Sequence, residues 1–321
     1  MSVFELKFWS DLTPQEHEQF KSSALGQMYS NHYMRNRSAM AYFSDYLGPD
    51  FSDRSIFLLQ KSVPVLAAPA LCREGELNYA NGPTEILSVL SGSAHRYAVK
   101  MLFKQLKQQH IIANFLIDQI LLREGFSHIE KASFSYVGLV DLTLNEKARH
   151  QCIRKSYKSL LNWGEKNLNI ELIDKSNMSR ASFMLFKDLH FLASGRKTRS
   201  DKSWDYQFDM IVEGNAYLVN AYLGERLVSG CYILHDNQTA LYGVAANDRE
   251  LMAEGLAINH YPLWQAINMA NEKKCKKFLL GNVGIEDQTD QKSRNIAKFK
   301  RGFATDIATE AHVTMNFGGT Q

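Results

Sequence analysis

Cysteine is scarce in this 321-residue chain: Cys72, Cys152, Cys231 and Cys275 lie far apart, and no two have Cys-x-x-Cys spacing. That argues against a zinc site and a disulfide framework and predicts a reducing, cytoplasmic setting. Long apolar runs are also missing. The richest windows, 64–71 and 111–122, are short or interrupted by Asn114, Asp118 and Gln119. Neither approaches the roughly 18 apolar residues of a membrane span. Residues 1–10 carry Glu5, Lys7 and Trp9 and no apolar core, which predicts no secretory leader. Large charge of one sign is absent too: the net charge is +3. This excludes a dedicated nucleic-acid binder of the strongly basic kind. No Ser-His-Asp set, Walker A loop or dinucleotide fingerprint can be read, and no metal is expected.

What the chain does have is apolar mass. It is 45% hydrophobic, with 18 Phe and 14 Tyr, enough for a sizeable core in one large domain or two ordinary ones. Its basic residues are unevenly spread. Residues 147–202 hold 13 Lys and Arg against 5 Asp and Glu, and residues 273–301 hold 9 against 3. Local excesses of this kind form a solvated face or meet an anionic ligand.

Periodicity and turn residues predict the same element order twice. The first half reads as a helix over 14–24 capped by Thr13, strands over 55–60, 63–71 and 76–79, and a helix over 84–109. A strand over 111–115, a helix over 118–124 and a strand over 134–142 complete it. The second half reads as a helix over 148–163 ending at Gly164, a strand over 170–173, and helices over 179–193 and 203–212. Strands follow over 216–223, 226–234 and 239–246, then a helix over 255–270, a strand over 277–281, a helix over 293–303 and a strand over 307–315. The expected architecture is α/β in two domains, 1–145 and 146–321, each a mixed, mainly antiparallel sheet flanked by helices.

Four features carry chemistry. Gly255-Leu-Ala257 follows a strand and opens the expected helix, where free N–H groups and the positive dipole end can hold a pyrophosphate or carboxylate. The same Gly-x-Ala also suits plain packing of a helix on a sheet. In Lys298-Phe-Lys300-Arg-Gly-Phe303, Lys300 flanks the apolar stripe of Phe299 and Phe303, so its ammonium can reach a pocket. Arg154 and Lys158 lie one turn apart on a basic helix. Ser194-Gly-Arg196-Lys-Thr-Arg199-Ser, followed by Trp204, offers guanidinium forks for a phosphate and an indole to stack on a base or sugar. His190 reads as a core histidine, and His260, placed mid-helix beside Pro262, has no evident partner.

The combination Val140-Asp-Leu-Thr143, Ile153-Arg-Lys-Ser-Tyr-Lys158, Trp163-Gly164, Ile170-Glu-Leu172, His190, Gly195-Arg196, Arg199, Phe278-Leu-Leu-Gly281 and Phe299-Lys-x-x-Phe303 resembles the FemAB-like proteins. Tyr79-Ala-Asn-Gly-Pro83 extends the likeness weakly into the first half. The resemblance implies a tandem GNAT fold and an N-acyltransferase of cell-envelope or polysaccharide biogenesis. The donor would be an acyl-CoA thioester, held at Gly255 and Ala257, although Met252 stands where that superfamily has Gln or Arg. The acceptor would be an amine on an anionic precursor such as a sugar nucleotide. Two alternatives stay open: aminoacyl transfer from aminoacyl-tRNA to a peptidoglycan precursor, and a non-catalytic binding protein on the same fold. Peripheral contact with a membrane is compatible with either envelope role. By the same resemblance Lys300 stabilises the oxyanion and Tyr242 donates a hydrogen bond or proton. The local basic excess makes Arg196, Arg199, Trp204, Arg154 and Lys158 the expected substrate contacts, and the resemblance adds Arg35 or Arg37.

Overall fold

The computed structural model describes residues 4–73, 76–78, 86–108, 112–116, 123, 126–284 and 290–317. The motif Tyr79–Pro83 and the expected helix over 118–124, residue 123 apart, lie outside them. The chain divides into two compact units. One contains the chain up to Ser135 and again from Glu310; the other runs from Tyr136 to Thr309.

The first unit opens with β1 (Phe4–Phe8), followed by α1 (Pro14–Ser22), α2 (Ala24–Asn31) and α3 (Arg37–Leu47). Thr13 and Glu16 form a reciprocal capping box that starts α1, as the sequence predicts. Ser23 then accepts from the Gly26 N–H and starts a separate helix, so the pattern over 14–24 covers two helices rather than one. Next come β2 (Ser52–Asp53), β3 (Ile56–Gln60), β4 (Val63–Ala68), β5 (Leu71–Arg73), β6 (Glu76–Asn78), β7 (Leu87–Ser88), α4 (Gly92–Gln108) and β8 (Ile112–Leu116). The helix expected from residue 84 begins only at Gly92. Leu87 and Ser88 pair with Ala67 and Leu66 instead, and Gly92 turns the chain at φ +54°. Strands β1, β3, β4 and β7 form an antiparallel sheet. Phe20, Tyr29 and Phe57 are buried against it.

β9 (Ile129–Asp141) carries the chain into the second unit. There α5 (Glu146–Cys152) and α6 (Lys155–Asn167) precede β10 (Asn169–Ile173), α7 (Arg180–Ser194) and α8 (Asp201–Glu213). The unit continues with β11 (Ala216–Leu223), β12 (Arg226–His235), β13 (Thr239–Asn247), α9 (Arg249–Ala253), α10 (His260–Glu272), β14 (Lys277–Asn282) and α11 (Gln291–Arg301). β15 (Asp306–Asn316) then leaves it, and His312–Asn316 pair antiparallel with β8 of the first unit. The compact units therefore divide inside β9 and β15, whereas the repeated element order places one boundary at 145. A strand's alternation says which face is buried but not which sheet it joins.

In the second unit β10, β11, β12 and β13 are antiparallel neighbours, and β13 is followed by β14, which in turn pairs antiparallel with β9. β13 and β14 run parallel, because α10 forms the crossover between them. One face packs on α6 and α10 through Tyr157, Leu161, Val219, Ile233, Leu263, Ile267 and Phe278. The other meets α7 and α8: Tyr232 donates its hydroxyl to the Gln207 carbonyl at 2.8 Å, and Phe183 lies 6.4 Å from its ring. No helix among the described residues is long and apolar enough to cross a membrane.

Gly164 does not end its helix. α6 continues to Asn167, and a Cβ at Gly164 would stand 2.3 Å from Tyr261 Cβ on α10. The glycine permits the close approach of two helices. Gly164→Ala is expected to cost about 1–3 kcal/mol through overpacking. Urea unfolding measures this; unchanged stability would show that α6 and α10 separate freely.

Candidate functional site

The parallel ladder between β13 and β14 is three residues long: Thr239–Lys277, Ala240–Phe278 and Leu241–Leu279. Both strands continue beyond it, β13 to Asn247 and β14 to Asn282, without further pairing to each other. Each strand carries an irregularity just past the last pair. On β13 the register against β12 skips Gly243, because Ile233 faces Tyr242 and Tyr232 faces Val244. On β14 the register against β9 skips Leu280, and Gly281 adopts φ +76°. Extra residues of this kind bend a strand and end its pairing. The strands thus fork in the middle of a sheet, leaving inward-facing main-chain donors and acceptors in need of partners.

Two of the residues expected to do chemistry meet this fork. Tyr242 is the first β13 residue beyond the last ladder pair. It packs on the α6–α10 side of the sheet with Phe299, and the Cys231 thiol lies beside its hydroxyl. Burial, with the thiol beside it, pushes the phenol well above its ordinary value. It therefore remains a neutral O–H, suited to donate and unsuited to act as a base. Lys300 comes from α11. A Cβ added at Gly281 would sit 3.2 Å from its Nζ, so the ammonium lies directly against the β14 backbone at the fork. Among the described residues Lys300 has no ion-pair partner, and burial lowers its pKa below that of free lysine. An uncompensated, partly desolvated cation is costly and marks a place where negative charge can be received.

α11 is held in position by its neighbours. Arg301 donates to the carbonyls of Val283 (2.8 Å) and Gly284 (2.5 Å), clamping the chain that leaves β14. Tyr157 lies where a side chain at Gly302 would be, with its Cε2 2.0 Å from the ideal Cβ position. The Arg154 N–H donates to the Gly302 carbonyl at 2.9 Å, and its guanidinium covers the Tyr157 ring at 5.1 Å. Arg154 thus braces α11 on the side where the sequence suggests substrate contact. Lys158 is half-buried, and Lys298, two residues before Lys300, is exposed.

The Gly255-Leu-Ala257 segment differs from expectation. Gly255, at φ +87°, closes the short helix α9: its N–H bonds Met252 O, and Leu256 N–H bonds Leu251 O. This is a Schellman cap, which by itself calls for glycine. The next helix, α10, starts at His260, so neither Gly255 nor Ala257 opens it. Pro262 carried that information, since proline fits a helix only in its first turn. Asn259, the residue before α10, makes no side-chain cap, leaving first-turn N–H groups for an acceptor. Gly255 has open space around its Cβ position, and Ala257 is buried. His260, missed as a site residue, stands at that N-terminus with its ring 4.5 Å from Tyr157 and 5.2 Å from Phe299. Burial holds it at about 4, so it is neutral at physiological pH.

The loop arginines separate. Arg196 is exposed. Arg199 donates to the Gln207 side chain at 3.3 Å, and its guanidinium lies 4.7 Å over Trp204. Trp204 itself is wholly buried, ringed by Phe183, Phe186 and Phe191, and cannot stack on a base or sugar. Arg35 and Arg37 lie in the first unit. Arg35 is buried, while Arg37 pairs with Asp53 at 2.5 Å and stacks 4.7 Å over Trp9. Among the described residues no cluster of His, Cys, Asp and Glu could hold a metal.

Neither a protein-family model nor a curated protein sequence matches this chain. Solved structures do match its fold. FemX aligns with a TM-score of 0.65 at 12% identity, covering 96% of each chain. The C-terminal domain of a putative lysylphosphatidylglycerol synthetase from Agrobacterium fabrum aligns with a TM-score of 0.62 at 12% identity, over 94% of this chain and 92% of that one. A tandem GNAT protein of the clavulanic acid biosynthesis pathway aligns with a TM-score of 0.52 at 12% identity, over 99% and 100%. The chain has a FemAB-like, tandem-GNAT α/β fold.

Because its folded pKa is lowered, charged Lys300 weakens the fold at neutral pH, and stability rises as pH climbs from that value toward the free-lysine value. Lys300→Met is accordingly expected to leave the melting temperature unchanged or raised at pH 7, with the advantage shrinking toward pH 10. A clear loss of stability at pH 7 would make Lys300 a structural residue.

Proposed function

We propose that the chain is an N-acyltransferase that joins an activated acyl group to an amine on a phosphate-bearing precursor of the cell envelope or its polysaccharides. The observation that carries this reading is the β13–β14 fork with the ammonium of Lys300 at its edge, unpaired among the described residues. An acyl thioester such as acyl-CoA, entering as an extended arm, can hydrogen-bond to the main chain at the fork as a strand would. The uncapped first turn of α10, with Asn259 and His260, would take its phosphates. This fits the donor better than Gly255, whose conformation is already used by the α9 cap.

The acceptor amine attacks the carbonyl carbon as its C–N bond forms. The C–S bond breaks, and the proton lost by the amine passes through solvent to the leaving thiolate, which departs as the thiol. No activated nucleophile with a base at credible spacing is present among the described residues, which favours direct transfer. Negative charge develops on the carbonyl oxygen, and a fixed, partly desolvated cation stabilises it strongly. Lys300 fills that role. Tyr242, protonated at all working pH values, donates to the leaving group or to the oxyanion. Arg196 and Arg199 take the precursor's phosphates.

A second reading replaces the thioester by aminoacyl-tRNA. It is favoured by Met252 and by the use of Gly255 as a helix cap, which leave the loop after β13 without the usual coenzyme A features. The fork and Lys300 serve either donor. The precursor lies at the membrane surface in the envelope versions of both readings.

Lys300→Ala is expected to lower kcat by about 100- to 1,000-fold, the usual cost of an oxyanion partner, with little change in acceptor KM. Lys298 projects about 200° away around α11 and is exposed, so Lys298→Ala should be nearly silent. Steady-state kinetics with acyl-CoA and with aminoacyl-tRNA tests both donors. Equal effects of the two substitutions, or a change in KM alone, would remove Lys300 from the chemistry. Absence of turnover with any donor would favour a binding protein.

A further inference from the structure

α7 is apolar on both sides. Phe183, Phe186 and Leu189 form its buried face. Its outer face carries Ala181, Leu185 and Leu192, with Met178 just before the first turn. Residues seven apart return to nearly the same side of a helix, so Met178, Leu185 and Leu192 form one stripe. They are 50%, 49% and 80% exposed, and Leu192 is the most exposed large apolar side chain among the described residues. A helix apolar all round calls for something to cover its second face.

The end of this stripe is basic. Leu192 lies in the last turn of α7, and the turn into α8 follows with Arg196, Lys197, Arg199 and Lys202 against Asp201 alone. Asp201 is taken up by buried Lys187 at 2.6 Å and by Lys197 at 3.0 Å. Lys202 is exposed and lies 5.6 Å over the Tyr206 ring, with no carboxylate partner among the described residues. The other acids are set back: Asp188, the only acid of α7, sits a turn behind Leu192, Asp205 is paired with Arg180, and Asp209 lies two turns down α8.

Charge and area decide what fits here. The stripe runs about 21 Å along α7 and is about 10 Å wide, roughly 200 Å². A stable protein interface takes about 800 Å² from each partner, so a second copy of the chain is a poor match. An anionic lipid surface needs no such area, because a protruding leucine enters the interfacial layer while neighbouring ammoniums meet headgroup phosphates.

We propose that the end of α7 and the turn into α8 dock on an anionic membrane surface, with Leu192 inserted and Lys197 and Lys202 at the headgroups. The surface stands without the transfer chemistry. Its use rests on the envelope reading above, since docking would hold Arg196 at the plane where a membrane-bound precursor carries its phosphates.

Co-sedimentation of the full chain with vesicles tests this without an acyl donor, so its outcome is separate from that of the transfer reading. The chain is expected to bind vesicles of phosphatidylglycerol and phosphatidylcholine in equal parts, to release them as salt rises, and to leave phosphatidylcholine alone unbound. Leu192→Ser should weaken binding about tenfold, and so should Lys197→Gln combined with Lys202→Gln. Val212→Ser removes an exposed apolar residue at the far end of α8 and should bind like the unmodified chain. No binding to the anionic vesicles, or equal affinity of Leu192→Ser and Val212→Ser, would overturn the proposal. A dimer in solution that Leu192→Ser disperses would overturn it too, by giving the face to a second copy.

Discussion

The second unit depends on where two parallel strands stop bonding to each other. β13 and β14 share three residue pairs and then part, with Gly243 and Leu280 as the extra residues and Gly281 in a left-handed turn. A sheet can tolerate such a fork only if other contacts hold both arms. β12 holds β13 by an antiparallel ladder, β9 holds β14, and Arg301 ties down the chain beyond β14. The opening is therefore a rigid feature of the fold rather than a frayed end. It leaves main-chain groups that do not pair across the fork beside a cation.

Lys300 shows how charge and packing are balanced there. Among the described residues its ammonium has no carboxylate partner, and a residue larger than glycine at position 281 would crowd it. A lysine placed for stability would have a partner. The place carries a local cost, and such costs collect at functional sites.

Much of this was readable in the sequence, for identifiable reasons. Thr13 signalled the start of its helix as an N-cap, the turn residues at 224–225 and 235–237 marked off the three strands of residues 216–247, and Lys300 sat beside the Phe299–Phe303 stripe at helical spacing. The start of α10 was also written there, in Pro262, although Gly255 drew the helix five residues too early. Other features depended on tertiary choice. Trp204 looks like an exposed stacking group beside two arginines, yet aromatic neighbours on α7 bury it. Gly164 reads as a helix end until the approach of Tyr261 shows why no side chain fits. The destination of β15 is set by pairing with β8, which no local pattern records.

Hydrogen–deuterium exchange at the fork tests the account most directly. Those amides of 242–247 on β13 and 280–282 on β14 that face across the fork, and not toward β12 or β9, should exchange faster than those of the Thr239–Leu241 ladder. An acyl-CoA or an aminoacyl-adenosine should slow the fork amides selectively, because the donor arm supplies the missing main-chain partners. Protection that falls elsewhere in the chain, or none with either donor, would contradict the assignment of the fork as the acyl-donor site.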